Sequence, residues 1–121
     1  MNISSMFNLA KNVSKTSLHK TKMGAVIVKN GNVISVSANR AVTHPKAKWE
    51  GHGLHCEISA ILYAGKCDLN GSSVFVYREN GKGEISIAKP CLECQKVLKE
   101  YGFRKMYFTT SEYPFFDCEK L

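Results

Sequence analysis

The sequence has 121 residues, of which 44% are hydrophobic and 22% are charged, a composition that fits one globular domain over residues 1–121 and is too short for two large cores. No apolar run approaches the ~18 residues of a membrane span, and the N-terminus lacks the basic start and apolar stretch of a secretory signal, so we expect a cytoplasmic protein with no membrane partner. The net charge of +7 favours anionic partners, either phosphorylated small molecules or nucleic acid.

The N-terminal half of the sequence predicts a helix, a β-hairpin and a second helix. Apolar residues at spacings near three and four predict an amphipathic helix over residues 1–13. Residues 23–28 and 33–38 have strand composition and flank Asn30-Gly31, a pair that tolerates the positive φ angles of a tight turn, so we expect two antiparallel strands. After a long loop, residues 55–64 favour the second helix.

The C-terminal half predicts further strands and a third helix. The predicted segments are a strand over 73–77, a helix over 91–101 and a strand over 105–110. Residues 84–88 could extend the strand before them as a hairpin, and Pro90 stands where prolines begin helices. In the two later helices, the residues expected to face the core are Ile58, Ile61, Leu62, Tyr63, Leu92, Val97 and Leu98. The element order predicts an α/β fold, with one mixed sheet of four to five strands and helices on both faces.

Two short runs carry the residues with the clearest chemistry, His55-Cys56-Glu57 and Pro90-Cys91-Leu92-Glu93-Cys94. One histidine and two cysteines make three zinc ligands, and three protein ligands with an open fourth position are typical of catalytic zinc, whereas structural sites are closed by four. Glu57 is then left over, and a carboxylate beside a zinc-bound water can take and return its proton. A Cys-x-x-Cys pair alone also occurs in redox motifs and structural zinc sites, but these have no need of the carboxylate.

The two runs match the His-x-Glu and Pro-Cys-x-x-Cys signature of zinc deaminases, and the sequence resembles the cytidine and deoxycytidylate deaminase superfamily, within it the short deoxycytidylate deaminase-like branch. The segments that carry the resemblance are residues 24–28, Asn39, residues 55–57, residues 90–94 and residues 105–108. It implies a three-layer α/β/α sandwich of the cytidine deaminase type, Zn²⁺ held by His55, Cys91 and Cys94, Glu57 as the catalytic residue, and a homo-oligomer. The chain departs from the family at Cys56, where alanine is most common. Relatives usually continue with a further helix and a fifth strand, and in this chain residues 113–118 either form a short edge element or the fifth strand is absent.

The resemblance also implies two contacts with the substrate. Relatives place an asparagine directly after the second strand, where it bonds the sugar of the nucleotide, and this chain has Asn39 there. The alternative is that Asn39 only ends the strand by bonding its own loop. Relatives use the backbone N–H between the histidine and the glutamate to hold the pyrimidine carbonyl, and Cys56 can supply that N–H. The side chain of Cys56 is expected to affect how tightly the pocket is packed.

The expected reaction is the hydrolytic deamination of a cytosine nucleotide, with dCMP to dUMP and ammonia as the first choice because the basic charge suits a phosphorylated substrate. One alternative is a cytosine or adenine deaminase acting on single-stranded DNA or RNA, for which the loop offers Arg40, Lys46, Lys48 and Trp49. A free nucleoside is another alternative. The non-enzyme alternative is a zinc-stabilised binding module. The presence of Glu57 argues against it, because a binding module has no need of this carboxylate.

The cysteines outside the Cys-x-x-Cys pair suggest packing rather than disulfides. The chain has five cysteines, an odd number that argues against a disulfide framework. Cys56, Cys67 and Cys118 are expected as buried small hydrophobic residues. A second, structural zinc could be built from His44 or His52 with Cys67 or Cys118, although the spacing does not require one.

Overall fold

The computed structural model of the protein describes residues 2–18, 20–39 and 55–121, which form three helices and five strands. In chain order these are α1 (Ile3–Ser14), β1 (Lys22–Lys29), β2 (Asn32–Ala38), α2 (Cys56–Ala64), β3 (Ser73–Glu79), α3 (Leu92–Glu100), β4 (Lys105–Thr109) and β5 (Phe116–Lys120). None of these helices is long and apolar enough to cross a membrane. The roles considered for Arg40, His44, Lys46, Lys48, Trp49 and His52 concern residues outside the described ones and stay predictions.

The five strands form one mixed sheet in the order β2-β1-β3-β4-β5. β1 pairs antiparallel with both β2 and β3, β3 pairs parallel with β4, and β4 pairs antiparallel with β5. The β1–β2 hairpin turns at Asn30 and Gly31, whose φ angles are 52° and 77°. Positive φ at both turn positions is what a two-residue hairpin of this type requires, and the predicted hairpin is confirmed.

The sheet has a hydrophobic core on each face. Ala25 and Ile27 of β1 face one core, with apolar residues of α2 and α3. Val26 faces the other core, with apolar residues of α1 and with Phe75 and Tyr107, whose rings stack with centroids 4.3 Å apart. Because successive side chains of a strand point to opposite faces, the apolar runs of the central strands serve both cores. The predicted layered sandwich, with helices on both faces, is confirmed.

Helix α1 lies directly on β1 at Gly24. A Cβ atom at this position would overlap the Ala10 carbonyl oxygen and lie 2.8 Å from the Ser14 backbone nitrogen. Ala10 and Ser14 are both completely buried. The absence of a side chain at Gly24 therefore allows the helix backbone to contact the strand, which is a common reason for glycine inside a strand.

Two segments near the C-terminus refine the prediction. Residues 84–88 do not form a strand, since a single bridge joins Glu79 to Ile85. The chain then crosses towards β4, where the Ala88 N–H donates to the Thr109 carbonyl at 2.9 Å. The fifth strand, left open by the sequence, is present as β5 at the edge of the sheet. It begins only after a turn that the Phe115 carbonyl closes by accepting from the Thr110 N–H at 3.0 Å.

Three side chains expected inside the protein are exposed, and those predictions were wrong. Tyr63 is 55% exposed and Leu92 is 75% exposed. Each lies two positions from a buried residue of its helix, Ile61 and Cys94 respectively, and two positions are about 200° around a helix, so these side chains point outwards. Cys67, which follows the end of α2, is also exposed. Cys56 is buried as predicted, and Cys118 is half-buried.

Candidate metal centre

The three predicted ligands come from the starts of α2 and α3, which pack on the same face of the sheet. His55 is the N-cap residue of α2 (φ −66°, ψ 145°), and Cys91 is the N-cap residue of α3 (φ −66°, ψ 165°). Neither side chain makes a capping hydrogen bond to its own helix. Helix α3 begins at Leu92, so Pro90 precedes the cap instead of opening the helix as predicted.

The donor atoms of these three residues meet between the two helix starts. His55 Nδ1 lies 3.2 Å from Cys94 Sγ and 3.8 Å from Cys91 Sγ, and all three donor atoms lie within 4.8 Å of one another. Tetrahedral zinc with its usual Zn–N and Zn–S bond lengths would separate nitrogen from sulfur by about 3.6 Å. In the described part of the chain this is the one group of three or more such side chains that could hold a metal ion.

The electrostatic surroundings of Cys94 suit a cation. Burial raises the pKa of the Cys94 thiol far above its usual range, and the negative charges of Glu57 and Cys91 raise this pKa further. A thiolate at this position is therefore unfavourable until a positive charge compensates it, and a bound metal ion supplies that charge. Since one imidazole and two thiolates are a preferred donor set for zinc, the residues present fit zinc.

Glu57 lies beside this group without belonging to it. Its side chain is buried, with an exposed fraction of 2%. Its Oε1 accepts a hydrogen bond from Cys56 Sγ at 2.8 Å, and its negative charge raises the pKa of the Cys94 thiol. Burial raises the pKa of the Cys56 thiol, and the charge of Glu57 raises it further, so this sulfur keeps its proton. The structure thus brings a buried carboxylate and three candidate metal ligands together, as the sequence predicted.

The contact between the Cys56 thiol and Glu57 was not predicted from the sequence. Adjacent residues of a helix point about 100° apart, so neighbours in sequence give no reason to expect touching side chains. The available signal was the departure from alanine at Cys56, which we interpreted as a matter of packing.

Asn39 follows β2 and holds the start of β1 through its side chain. Its Oδ1 accepts from the Met23 N–H at 3.0 Å, and its Nδ2 donates to the Thr21 carbonyl at 3.0 Å. These bonds reach residues at and just before the start of β1, and they differ from the bonding to its own loop that we considered as the alternative role of Asn39. A contact with the sugar of a nucleotide stays a prediction.

One hollow of the described residues lies away from the candidate ligands. A hollow of about 480 Å³ lies between α1 and the β5 edge, and its lining includes Phe7, Tyr77 and Phe116. None of the candidate ligands lines it, and Glu57 does not line it either. The chemistry of the side chains, and not the volume of this hollow, therefore identifies the candidate site.

A family model decides where the chain belongs. The model described as the cytidine and deoxycytidylate deaminase zinc-binding region matches residues 1–110, a span that includes the three candidate ligands and Glu57. This chain belongs to the cytidine and deoxycytidylate deaminase family. The family consists of zinc-dependent hydrolases, and the cofactor of this deaminase is zinc, for which His55, Cys91 and Cys94 could form the site. No curated protein matches the chain.

Solved structures of other deaminases share the fold. The dCMP deaminase from the cyanophage S-TIM5 in apo form has a TM-score of 0.66 and 23% identity, over 86% of this chain and 79% of the other. Its complex with dCMP and dUMP has a TM-score of 0.63 and 21% identity, over 85% and 76%. Cytidine deaminase from Burkholderia pseudomallei has a TM-score of 0.72 and 21% identity, over 99% and 93%. At these identities the similarity establishes the fold of this deaminase.

Proposed function

We propose that the protein removes the amino group of a cytosine nucleotide by hydrolysis, converting dCMP to dUMP and ammonia, and that Glu57 is its catalytic residue. The observation that carries this proposal is the buried Glu57 carboxylate beside His55, Cys91 and Cys94. Burying a carboxylate is unfavourable, and a zinc site that only stabilises the fold has no use for one. The net charge of +7 supports a phosphorylated substrate.

Zinc bound by His55, Cys91 and Cys94 would supply the Lewis acidity that makes water nucleophilic near neutral pH. Glu57 takes the proton given up by the attacking water and passes it to N3 of the cytosine ring while oxygen adds at C4. Glu57 then transfers the second proton of that oxygen to the amino nitrogen, so the C4–N bond breaks and ammonia leaves. The two hydrogens of the water end on N3 and in ammonia, and no redox partner is needed.

The proposal includes two contacts with the nucleotide. The Cys56 N–H is the first of α2, where no acceptor within the helix reaches, so it can bond the pyrimidine carbonyl. The Asn39 amide has two N–H donors. One of them bonds Thr21, and the second is proposed to bond the sugar. The S-TIM5 enzyme, whose solved complex contains dCMP and dUMP, supports a nucleotide of this size as the first substrate to try.

The test is ammonia release by the zinc-loaded protein from dCMP, dCTP, deoxycytidine, cytosine and a cytosine-containing single-stranded oligonucleotide. We expect turnover of dCMP, and Glu57→Gln should lower kcat at least about 100-fold because general acid and base catalysis is lost. Glu100→Gln, at the exposed end of α3, is the matched control and should keep the wild-type kcat. Glu57→Gln with wild-type activity would contradict the assignment.

The other outcomes select the alternatives. Turnover of the oligonucleotide alone would place the protein among deaminases of single-stranded DNA or RNA, and turnover of deoxycytidine alone would indicate a nucleoside substrate. Silence on every substrate, with one zinc bound per chain, would favour the binding module. The proposal includes a homo-oligomer, which sedimentation of the zinc-loaded protein tests.

A further inference from the structure

Cys56 is the first residue of α2, and its side chain contacts the proposed catalytic residue. Its sulfur is completely buried in the core between the sheet and α2 and α3. Cys56 Sγ donates to Glu57 Oε1 over 2.8 Å, and Cys56 does not belong to the candidate metal group. An alanine here would be smaller by one sulfur atom and would offer the carboxylate no donor.

This contact is not a by-product of helix geometry. Side chains of consecutive helical residues diverge by about 100°, so the contact requires the Glu57 side chain to turn around the helix towards Cys56. A glutamate side chain has several rotatable bonds, and fixing it costs up to about 2 kcal/mol of rotamer entropy. A hydrogen bond to one carboxylate oxygen selects one orientation of the Glu57 side chain among those that its rotatable bonds allow.

Packing alone does not account for the thiol. A buried cysteine that acts only as a small hydrophobic residue needs apolar neighbours, yet Cys56 directs its sulfur at a carboxylate oxygen. A buried carboxylate is costly unless donors satisfy its oxygens. Cys94 is the nearby thiol whose pKa the charge of Glu57 raises, but its sulfur is one of the candidate ligands. Cys56 can therefore serve as a donor whether or not the metal group is filled.

We propose that Cys56 is a positioning residue, whose S–H group holds the Glu57 carboxylate in the orientation from which it transfers protons. This inference rests on the proposed function of Glu57. Proton transfer depends on the placement of the donor and acceptor atoms within tenths of an ångström, so the loss of Cys56 should affect the chemical step more than substrate binding.

The kinetic test compares Cys56→Ala and Cys56→Ser in the zinc-loaded protein with dCMP as substrate. Cys56→Ala should lower kcat about five- to twentyfold and leave KM within about twofold, because a contact that serves the transition state is lost. Cys56→Ser restores a donor of similar size and should recover kcat to within about threefold of wild type. Cys67→Ala, at an exposed cysteine, is the control for removing a thiol and should change neither constant.

Two kinetic results would overturn the inference. One is a wild-type kcat in Cys56→Ala, and the other is an equal loss in Cys56→Ala and Cys56→Ser, which would point to packing. Failure of the inference differs from failure of the proposed function, because an inactive Glu57→Gln together with a fully active Cys56→Ala removes only the role of Cys56. An active Glu57→Gln removes the catalytic role of Glu57 itself.

A second measurement needs no turnover. The S–H stretching band lies in an infrared window with little other protein absorption, and zinc-loaded Cys67→Ser/Cys118→Ser protein retains Cys56 as its S–H group, since ligand cysteines bind as thiolates. The band should lie at the lower frequency of a hydrogen-bonded thiol and move to higher frequency in Glu57→Ala. A band already at the position of an unbonded thiol, and unmoved by Glu57→Ala, would overturn the inference.

Discussion

Asn39 joins the end of β2 to the start of β1, so its structural role can be separated from a role in substrate binding. Asn39→Ala should lower the free energy of unfolding of the substrate-free protein by about 1–2 kcal/mol, because the Met23 N–H loses its acceptor. Urea denaturation measures this change, with Asn32→Ala at the exposed start of β2 as the control. Unchanged stability in Asn39→Ala would leave substrate binding as the role of this residue.

Cys94 makes zinc binding depend on pH. Its thiol pKa is raised by burial and by neighbouring negative charge, so without metal the thiol is protonated at neutral pH and zinc must displace that proton. The apparent zinc affinity should therefore rise between about pH 6 and pH 8. Calorimetric titration with zinc in two buffers of different ionisation enthalpy measures the protons released. Binding at neutral pH without proton release would mean that the ligand thiols are already ionised in the metal-free protein.

Residue types and spacing predicted the metal group, but not the contacts that surround it. His55, Cys91 and Cys94 were identified because few functions need those donors in that order, and α2 and α3 bring them together. The bonds from Cys56 to Glu57 and from Asn39 to β1 depend on side-chain torsions and on which strand lies beside which. Neither of these is encoded in the local pattern of residue types.

At the scale of elements, the contact of α1 with β1 depends on one position. Gly24→Ala should lower the free energy of unfolding by about 2–3 kcal/mol, because the new methyl group would overlap the Ala10 carbonyl and force the helix away from the strand. Gly81→Ala is the matched control, since a Cβ there meets nothing within 4 Å. Thermal unfolding of both variants measures the difference. Equal midpoints for the two variants would show that α1 moves aside without cost.

The helices and the central strands could be predicted from the periodicity of apolar residues. The errors arose where the exposure of a side chain, or the presence of a strand, depends on the neighbouring elements. Leu92 is apolar but lies on the outer side of α3, and only the direction of the helix on the sheet determines which side is buried. The edge strand β5 carries charged and aromatic residues in a short segment, so alternation gave no clear signal for it. Its place is set by pairing with β4, a partner that is already in the sheet.

At the scale of the whole molecule, the excess of positive charge should distinguish phosphorylated substrates from neutral ones. With a net charge of +7, we expect KM for dCMP to rise as salt increases from about 50 to about 300 mM, because screening weakens attraction to the phosphate. KM for deoxycytidine, which has no phosphate, should change little and serves as the control. Parallel salt dependence for both substrates would remove charge as a reason for choosing a nucleotide.

The two helices that carry the candidate ligands have N-cap residues whose side chains make no capping hydrogen bond. This limits the ways in which the protein can become more heat-resistant. At α1 the N-cap Asn2 accepts from the Ser5 N–H at 3.0 Å, whereas His55 and Cys91 make no such bond. A good N-cap is worth about 1 kcal/mol, and installing one is a routine stabilising change. At α2 and α3 that change would exchange a candidate metal ligand for stability. If these residues bind zinc, selection for heat resistance must act elsewhere in the fold, and a design that scores helix starts by capping preference alone would remove the candidate site.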